Sequence, residues 1–307
     1  MTRILIVGAG ATGGALGARL VAAGREVTFL VRERRTAQLA ADGLRFTASG
    51  LEVSHTVQAV TALDSAGEFD VVIVAVKAPA LEAILPTLAP AVGANTQIIP
   101  LLNGMAHMDL LEGAFPGRVM GGIVKIVATL DESATVVQMT PMSSLTIGSL
   151  DSTPVPAEIV EALDVEGIDL EVRENIVAGL WEKWAFIAGA GVITCLFRGS
   201  IGDILAAGGK ELILRAVEEC ESVARTAGYP VSEAGHQLSL TLFTQAGSGF
   251  TSSLYRDLQH GDPLEAEHIL GDFAARAKAL GVDAPLLDAA ILQLRTHHQQ
   301  SLAANKM

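Results

Sequence analysis

Residues 3–14 read Arg3-Ile4-Leu5-Ile6-Val7-Gly8-Ala9-Gly10-Ala11-Thr12-Gly13-Gly14, and the fold class follows from this stretch. Four bulky apolar residues in a row suit a strand buried on both faces, as strands are in parallel sheets. The glycines after them are spaced G-x-G-x-x-G and lead into Ala15–Ala23, a run of small residues suited to a helix. In a strand–turn–helix each of these glycines has a distinct task. Gly8 permits the tight turn, Gly10 lets the backbone approach a pyrophosphate, and Gly13 lets helix and strand pack closely. The helix N-terminus then turns N–H groups and the positive end of its dipole toward the phosphates. The stretch therefore predicts a dinucleotide turn made by Gly8, Gly10, Ala11, Thr12 and Gly13. A basic Arg3 before an apolar run also fits a secretory leader, but the repeated glycines fit a strand and its turn better.

Further strand-length apolar runs lie at Val27–Val31, Val71–Val76 and Ile98–Leu102, with helical stretches at Leu81–Leu88 and Met108–Ala114. Strands apolar on both faces and alternating with helices imply an α/β fold, with a Rossmann-type doubly wound sheet covered on both sides. Met139–Leu150, rich in Thr, Ser and Met, adds strands or a hairpin. From Glu174 helical periods dominate, as in Leu212–Ala227, Ala266–Leu280 and Leu286–Leu302, with breaks at Gly228–Pro230, Gly261–Pro263 and Gly281–Pro285. The expected organisation is a dinucleotide-binding domain over 1–173 and an all-helical substrate and catalytic domain over 174–307.

Composition narrows the partners. The chain has 307 residues, is 50% hydrophobic and 18% charged, and carries a formal charge of −13. With no positive field to gather phosphates, neither a nucleic acid nor an anionic membrane is an expected partner. The longest candidate run, Phe186 to Phe197, is shorter than the ~18–20 residues of a membrane helix. Two cysteines, Cys195 and Cys220, read as buried thiols of a cytoplasmic protein rather than a disulfide scaffold. The pair His297-His298 has no acid or cysteine at metal spacing, so no metal is expected.

The residue after the second strand selects the cofactor. Asp or Glu there takes the ribose hydroxyls of NAD, whereas Arg accommodates the 2′-phosphate of NADP. Here Val31 is followed by Arg32, with Arg34 and Arg35 beyond. Guanidinium groups bind phosphate bidentately, which favours NADPH (NADP+); Glu33 leaves a route to NAD.

With these residues in view, the chain resembles the ketopantoate reductase (2-dehydropantoate 2-reductase) family over nearly its whole length. The resemblance rests on the glycine turn, Val76-Lys77, Asn103-Gly104, the W-x-K of Trp181-Glu182-Lys183, Thr194, Gly202-Asp203, Ser252-Ser253, Asp257 and Glu265, in that order. It implies NADPH-dependent reduction of a small 2-keto acid, as in pantothenate biosynthesis, with Lys183 as the catalytic acid and Glu265 in the site. It also implies that Ser253 donates to the substrate carboxylate. Asn103 follows a strand end, where parallel sheets place ligand contacts, and its amide is suited to bridge nicotinamide and substrate; Lys77, in a comparable place after Val71–Val76, is suited to bind cofactor or attract an anionic substrate. A homodimer is left open.

Lys183 has its own chemical logic. Hydride arriving at a ketone leaves negative charge on oxygen, which a nearby cation or proton donor stabilises. On a helix its neighbours are Gly179, Leu180, Phe186 and Ile187, so it faces a core or a cleft. Glu265 also has a structural reading, because Asp262-Pro263-Leu264-Glu265 matches an N-cap, a Pro at N1 and an acid at N3.

The chain departs from the family pattern at three places. Where the family usually carries asparagines after the lysine and before the serine, this chain has Ile187, Gly191 and Phe250. These departures imply a more apolar substrate pocket. Two other readings stay open: a reductase of the same fold acting on another carbonyl compound, or a dinucleotide-binding regulator without turnover.

Overall fold

The core of the N-terminal half is built around a strand with no polar side chain along most of its length. The computed structural model describes residues 2–64 and 66–304. Its strands are β1 (Arg3–Val7), β2 (Glu26–Leu30), β3 (Leu44–Ala48), β4 (Leu51–His55), β5 (Gln58–Val60), β6 (Phe69–Val74), β7 (Val92–Pro100), β8 (Met120–Leu130), β9 (Val136–Ser149) and β10 (Asp169–Val172). One sheet has the order β5-β2-β1-β6-β7, with every neighbouring pair parallel. The order reverses at β1, the switch point of a doubly wound sheet, and Ile4 to Val7 are fully buried there.

A second sheet, β10-β9-β3-β4 with β8 paired to β9, was legible only in part. The Thr- and Ser-rich run became β9, antiparallel to the long β8. The β3–β4 hairpin was not anticipated, although Ser49-Gly50 between the strands has φ of 50° and 79°. Positive φ at both central residues is the mark of the tight I′ hairpin turn.

Helices α1 (Ala11–Ala22), α2 (Glu33–Asp42), α3 (Leu81–Leu88), α4 (Ala106–Ala114) and α5 (Ala157–Leu163) accompany these strands. The first helix begins four residues earlier than its sequence suggests, so Gly13 and Gly14 are helical rather than part of the turn. Helix α1 packs with β1 and β2 on one side and with β3, β8 and β9 on the other. Glycine makes this possible. A Cβ at Gly13 would collide with the Gly8 carbonyl, one at Gly17 with the Phe29 ring, and one at Gly14 would lie 2.6 Å from Val136. Leu16 and Leu20 fill the rest of the interface, each fully buried and worth about 1.5–3 kcal/mol.

The C-terminal half is helical: α6 (Ile176–Phe197), α7 (Ile201–Ala206), α8 (Lys210–Thr226), α9 (Glu233–Phe243), α10 (Ser253–His260), a π-helical turn at Glu267–Gly271, α11 (Asp272–Ala279) and α12 (Pro285–Ala304). By its internal contacts the chain forms two units. One holds the residues up to Leu102 with His107–Ile176; the other holds Asn103–Ala106 and the chain from Val177. In the second unit the buried Glu219 carboxylate accepts the N–H groups of Leu286 (2.8 Å) and Leu287 (3.2 Å), so it satisfies the orphan donors of α12.

The longest apolar element exceeds the run expected from the sequence. Helix α6 spans 22 residues and holds an 18-residue window of mean hydropathy 1.4, long and apolar enough to cross a membrane. Of that window, 67% is buried inside the protein, as in a core helix. The capping pattern at Glu265 is also corrected, because helix begins at Ala266 and not at Pro263. Asp262 is used instead in closing α10: its N–H donates to the Asp257 carbonyl (2.9 Å) beside the left-handed Gly261.

The α1 packing yields a stability test. Gly13→Ala is expected to lower unfolding free energy by about 1–3 kcal/mol, as overpacking does. Gly113→Ala, inside α4 with open space around it, is expected to gain up to about 1 kcal/mol from helix propensity. Urea unfolding of both variants checks the contrast, and equal effects at the two positions would contradict it.

Candidate active site

The glycine turn has the geometry its spacing suggested. Gly8 has φ of +100°, and a Cβ there would press on the Ala75 carbonyl at 3.0 Å. Around Gly10 nothing lies within 4 Å of where a Cβ would be, so the backbone is open to a ligand at that residue. Gly10 is also the N-cap of α1. It contributes no capping side chain, and no acid sits in the first turn. The N–H groups of this helix end therefore face no competing negative charge of their own, which suits a pyrophosphate. The residues present fit the phosphate arm of a dinucleotide.

Because the strands of the first sheet run parallel, the segments that leave their C-terminal ends all emerge at the same edge. Arg32 lies there after β2 and Lys77 after β6, whereas Asn103, next in the chain after Leu102, belongs to the second unit. Of the arginines in the first 35 residues, four are bound into the fold. Arg3 reaches Glu26 and the Ala66 carbonyl, Arg19 reaches Gln138, Arg25 the Glu161 carbonyl, and Arg35 the Ala134 carbonyl. Burial, with Arg45 nearby, pushes the Arg35 guanidinium pKa below its ordinary value. The side chains of Arg32 and Arg34 are exposed and have no hydrogen bond or ion pair among the described residues. Lys77 is exposed at the start of a short 3-10 turn, and Asn103 is half-buried.

Asn103, Lys183, Ser253 and Glu265 all belong to the second unit. From Leu180 to Cys195, α6 is buried except at Glu182, Lys183, Phe186 and Ile187. Trp181 and Trp184 anchor the far side of this helix. Trp181 stacks on Tyr229, and the Trp184 indole donates to the Ile269 carbonyl (2.9 Å) inside the π-helical turn. The start of α10 is tied to α6 by the buried hydroxyls of Thr194 and Ser252, 2.7 Å apart. Ser252 caps α10 by accepting from Tyr255 N–H (3.0 Å), which leaves Ser253 as an exposed first-turn residue without that duty. A Cβ at Gly191 would touch Leu254 and Leu270 at 3.4–3.5 Å, so α10 and the π-helical turn both lie against this part of α6.

Other motif residues have structural roles. Ser200 and Asp203 form a reciprocal capping box on α7, and the Ser200 hydrogen bonds hold the Asp203 carboxyl below its usual pKa. Gly202 N–H donates to the Ser248 carbonyl (2.8 Å), in close backbone contact that only glycine allows. Gly104, with φ of +82°, places its Cα where a Cβ would meet the His268 carbonyl at 2.5 Å. His268 was not singled out in the sequence. The available signal was its place three residues after Glu265, one helical turn on. Its imidazole pKa lies below the ordinary value because burial outweighs the opposing pull of Glu265 and Asp272. An open groove of about 370 Å³, lined by Arg198, Gln293 and His297 among others, contains none of these residues.

Both halves match family sequence models. Residues 4–152 match that of ketopantoate reductase PanE/ApbA, and residues 175–298 match that of its C-terminal region. The chain belongs to the ketopantoate reductase family and is an oxidoreductase of that family. It is 32% identical over 304 residues to an uncharacterized oxidoreductase, YkpB, of Bacillus subtilis (strain 168), covering 97% of this chain and 99% of that one. It is 25% identical to the 2-dehydropantoate 2-reductase of Mesorhizobium japonicum, covering 95% of this chain and 97% of that one. Its fold matches that of a D-mandelate dehydrogenase in ternary complex with NADH and anilino(oxo)acetate. The TM-score is 0.85 at 20% identity, over 97% of this chain and 99% of that one.

The His268 shift has a pH consequence. A histidine with a folded pKa below its unfolded value stays neutral in the native state while the unfolded chain takes up a proton. Its contribution to stability is full above the unfolded pKa, near 6.5, and declines as pH falls below it. His268→Gln is therefore expected to lose less stability than the wild type between pH 8 and pH 5. Urea titrations at both pH values check this; an equal or larger loss in the variant would oppose it.

Proposed function

We propose that this chain uses NADPH to reduce a 2-keto acid to the corresponding 2-hydroxy acid, as in 2-dehydropantoate to pantoate. The observation that carries the reading is the combination of an open glycine cradle at a bare helix N-terminus with Lys183 on the short open stripe of α6. Gly8, Gly10, Ala11, Thr12 and Gly13 would hold the pyrophosphate, Arg32 the 2′-phosphate, and Lys77 and Asn103 other parts of the cofactor. Bound there, NADPH supplies the hydride equivalent.

The chain's own residues handle charge and orientation. Lys183 donates a proton to the ketone oxygen as negative charge develops on it. Ser253 donates its hydroxyl to the substrate carboxylate, a role supported by its freedom from capping and by its place at the positive end of α10. Asn103 adds an amide donor. Glu265 orients the Lys183 ammonium or accepts from a substrate hydroxyl. A regulator without turnover would need neither Lys183 nor Glu265, and steady NADPH oxidation with a 2-keto acid separates the two readings.

Two measurements test the assignments. NADPH is expected to bind at least tenfold more tightly than NADH, about 1.4 kcal/mol, with Arg32→Ala removing most of the difference. Calorimetric titration giving equal affinities in the wild type would defeat the Arg32 assignment. Lys183→Ala is expected to bind NADPH normally while kcat drops roughly 10²-fold, the usual worth of a positioned proton donor. A folded variant with near-normal kcat would remove Lys183 from the chemistry.

A further inference from the structure

The open stripe of α6 is short, and its chemistry is divided. Of its four residues, Glu182 turns toward α9, where its carboxylate accepts the Ser232 N–H (2.9 Å). The others are Lys183 with Phe186 and Ile187, which at spacings of three and four residues are its neighbours on the helix surface. One cation therefore sits beside an apolar surface.

That surface is aromatic and held in place. Phe186 stacks on Phe243, with centroids 5.0 Å apart and planes at 25°, and meets Phe250 edge-on at 6.5 Å; Phe243 and Phe250 are 5.7 Å apart. Phe243, the last residue of α9, is sealed in the core, whereas Phe186 and Phe250 are each only half-buried. Phe250 is fixed through its backbone: its carbonyl accepts from Ile201 N–H (3.0 Å), and its own N–H donates to the Ser248 hydroxyl (3.2 Å). Two residues later the Ser252–Thr194 pair locks the same segment to α6. Further along α6, Gly191 is bordered by Leu254 and Leu270. A core role explains Phe243. It does not explain why Phe186, within a turn of Lys183, and Phe250, in ring contact with Phe186, both stay partly open.

We propose that Phe186 and Phe250 are specificity-determining residues that read the substrate's side chain, and that the side chain they accept is an aromatic ring. The substrate would be an aryl 2-keto acid of the phenylglyoxylate or phenylpyruvate kind. This rests on the reductase reading above and names the substrate class within it. The carboxylate and ketone match Lys183 and Ser253. A flat ring joins the existing cluster by offset or edge-to-face contact, the arrangement aromatic rings prefer. A hydroxylated aliphatic side chain would lie against Phe186, Ile187 and Phe250, whose side chains offer it no hydrogen bond, and pyruvate would leave the rings wet.

The test is a steady-state panel with NADPH and pyruvate, 2-ketoisovalerate, ketopantoate, phenylglyoxylate and phenylpyruvate. An aryl acid is expected to exceed pyruvate in kcat/KM by about 10–200-fold, the span of one well-filled apolar subsite. In Phe186→Ala and Phe250→Ala the aryl-to-pyruvate ratio should drop about tenfold, chiefly through KM. Phe186→Leu and Phe250→Leu, which keep the volume but lose the ring, should lower it less and serve if the alanine variants do not fold. Preference for pyruvate, 2-ketoisovalerate or ketopantoate, or a ratio that no ring replacement moves, would overturn the proposal. Calorimetric binding of phenylglyoxylate and pyruvate to the NADP+-loaded protein gives a readout independent of turnover. If no keto acid is reduced, the reductase reading falls. The aromatic subsite then stands on ring-dependent tighter binding of phenylglyoxylate, and falls with equal or absent binding.

Discussion

The close approach of α1 to the β1 turn is the constraint on which the first unit depends. With the Gly13 Cα against the Gly8 carbonyl, the helix axis cannot move outward without opening the turn, or inward at all. The same small-residue helix lies against the second sheet through Gly14 and Val136. One element thus joins two sheets and, by its start, fixes the N–H groups that suit a phosphate. A bulkier helix would satisfy the hydrophobic requirement equally well and would lose the turn geometry, so burial alone does not account for the sequence of α1.

In the second unit α6 has the corresponding place. It is buried along most of its length and anchored by Trp184 on the Ile269 carbonyl and by Thr194 on Ser252. These two anchors bring the segment before α10 and the π-helical turn onto the same helix that carries Lys183. The π-helical turn itself comes just after Glu265, consistent with the frequent use of such turns where a backbone must be re-aimed near a functional residue. Packing on one side of α6 leaves a short, chemically mixed, half-buried stripe on the other.

How much of this could be read in advance depended on range. The β1–turn–α1 unit was legible because its determinants are local: apolar run, glycine spacing and small residues within a dozen positions. The doubly wound sheet and the helical second half were legible for the same reason. The second sheet was harder, since β3, β4 and β8 are short of continuous apolar runs and owe their burial to partners far along the chain, as Phe46 does to Val136. Helix start sites were misplaced where a residue had two local uses. Gly13 and Gly14 read as turn but pack as helix, and Asp262 reads as a cap but closes α10. In the candidate site, Lys183 could be found from its apolar neighbours and Arg32 from its place after a strand. The contact of His268 with Gly104 and that of Thr194 with Ser252 could not, because they join segments that no periodicity announces.

The detour of Asn103–Ala106 into the second unit has a temporal consequence. Gly104 is seated against His268, about 160 residues later in the chain. At about 5–20 residues per second of synthesis, that seat emerges on the order of ten to thirty seconds after the loop it receives. The parallel sheet can therefore assemble from its own strands while the residues directly after β7 still wait for their partner. The amide of Asn103 reaches its final place only when the chain is almost complete, so a nascent or truncated chain can be folded at its nucleotide turn and still lack the loop's native seat.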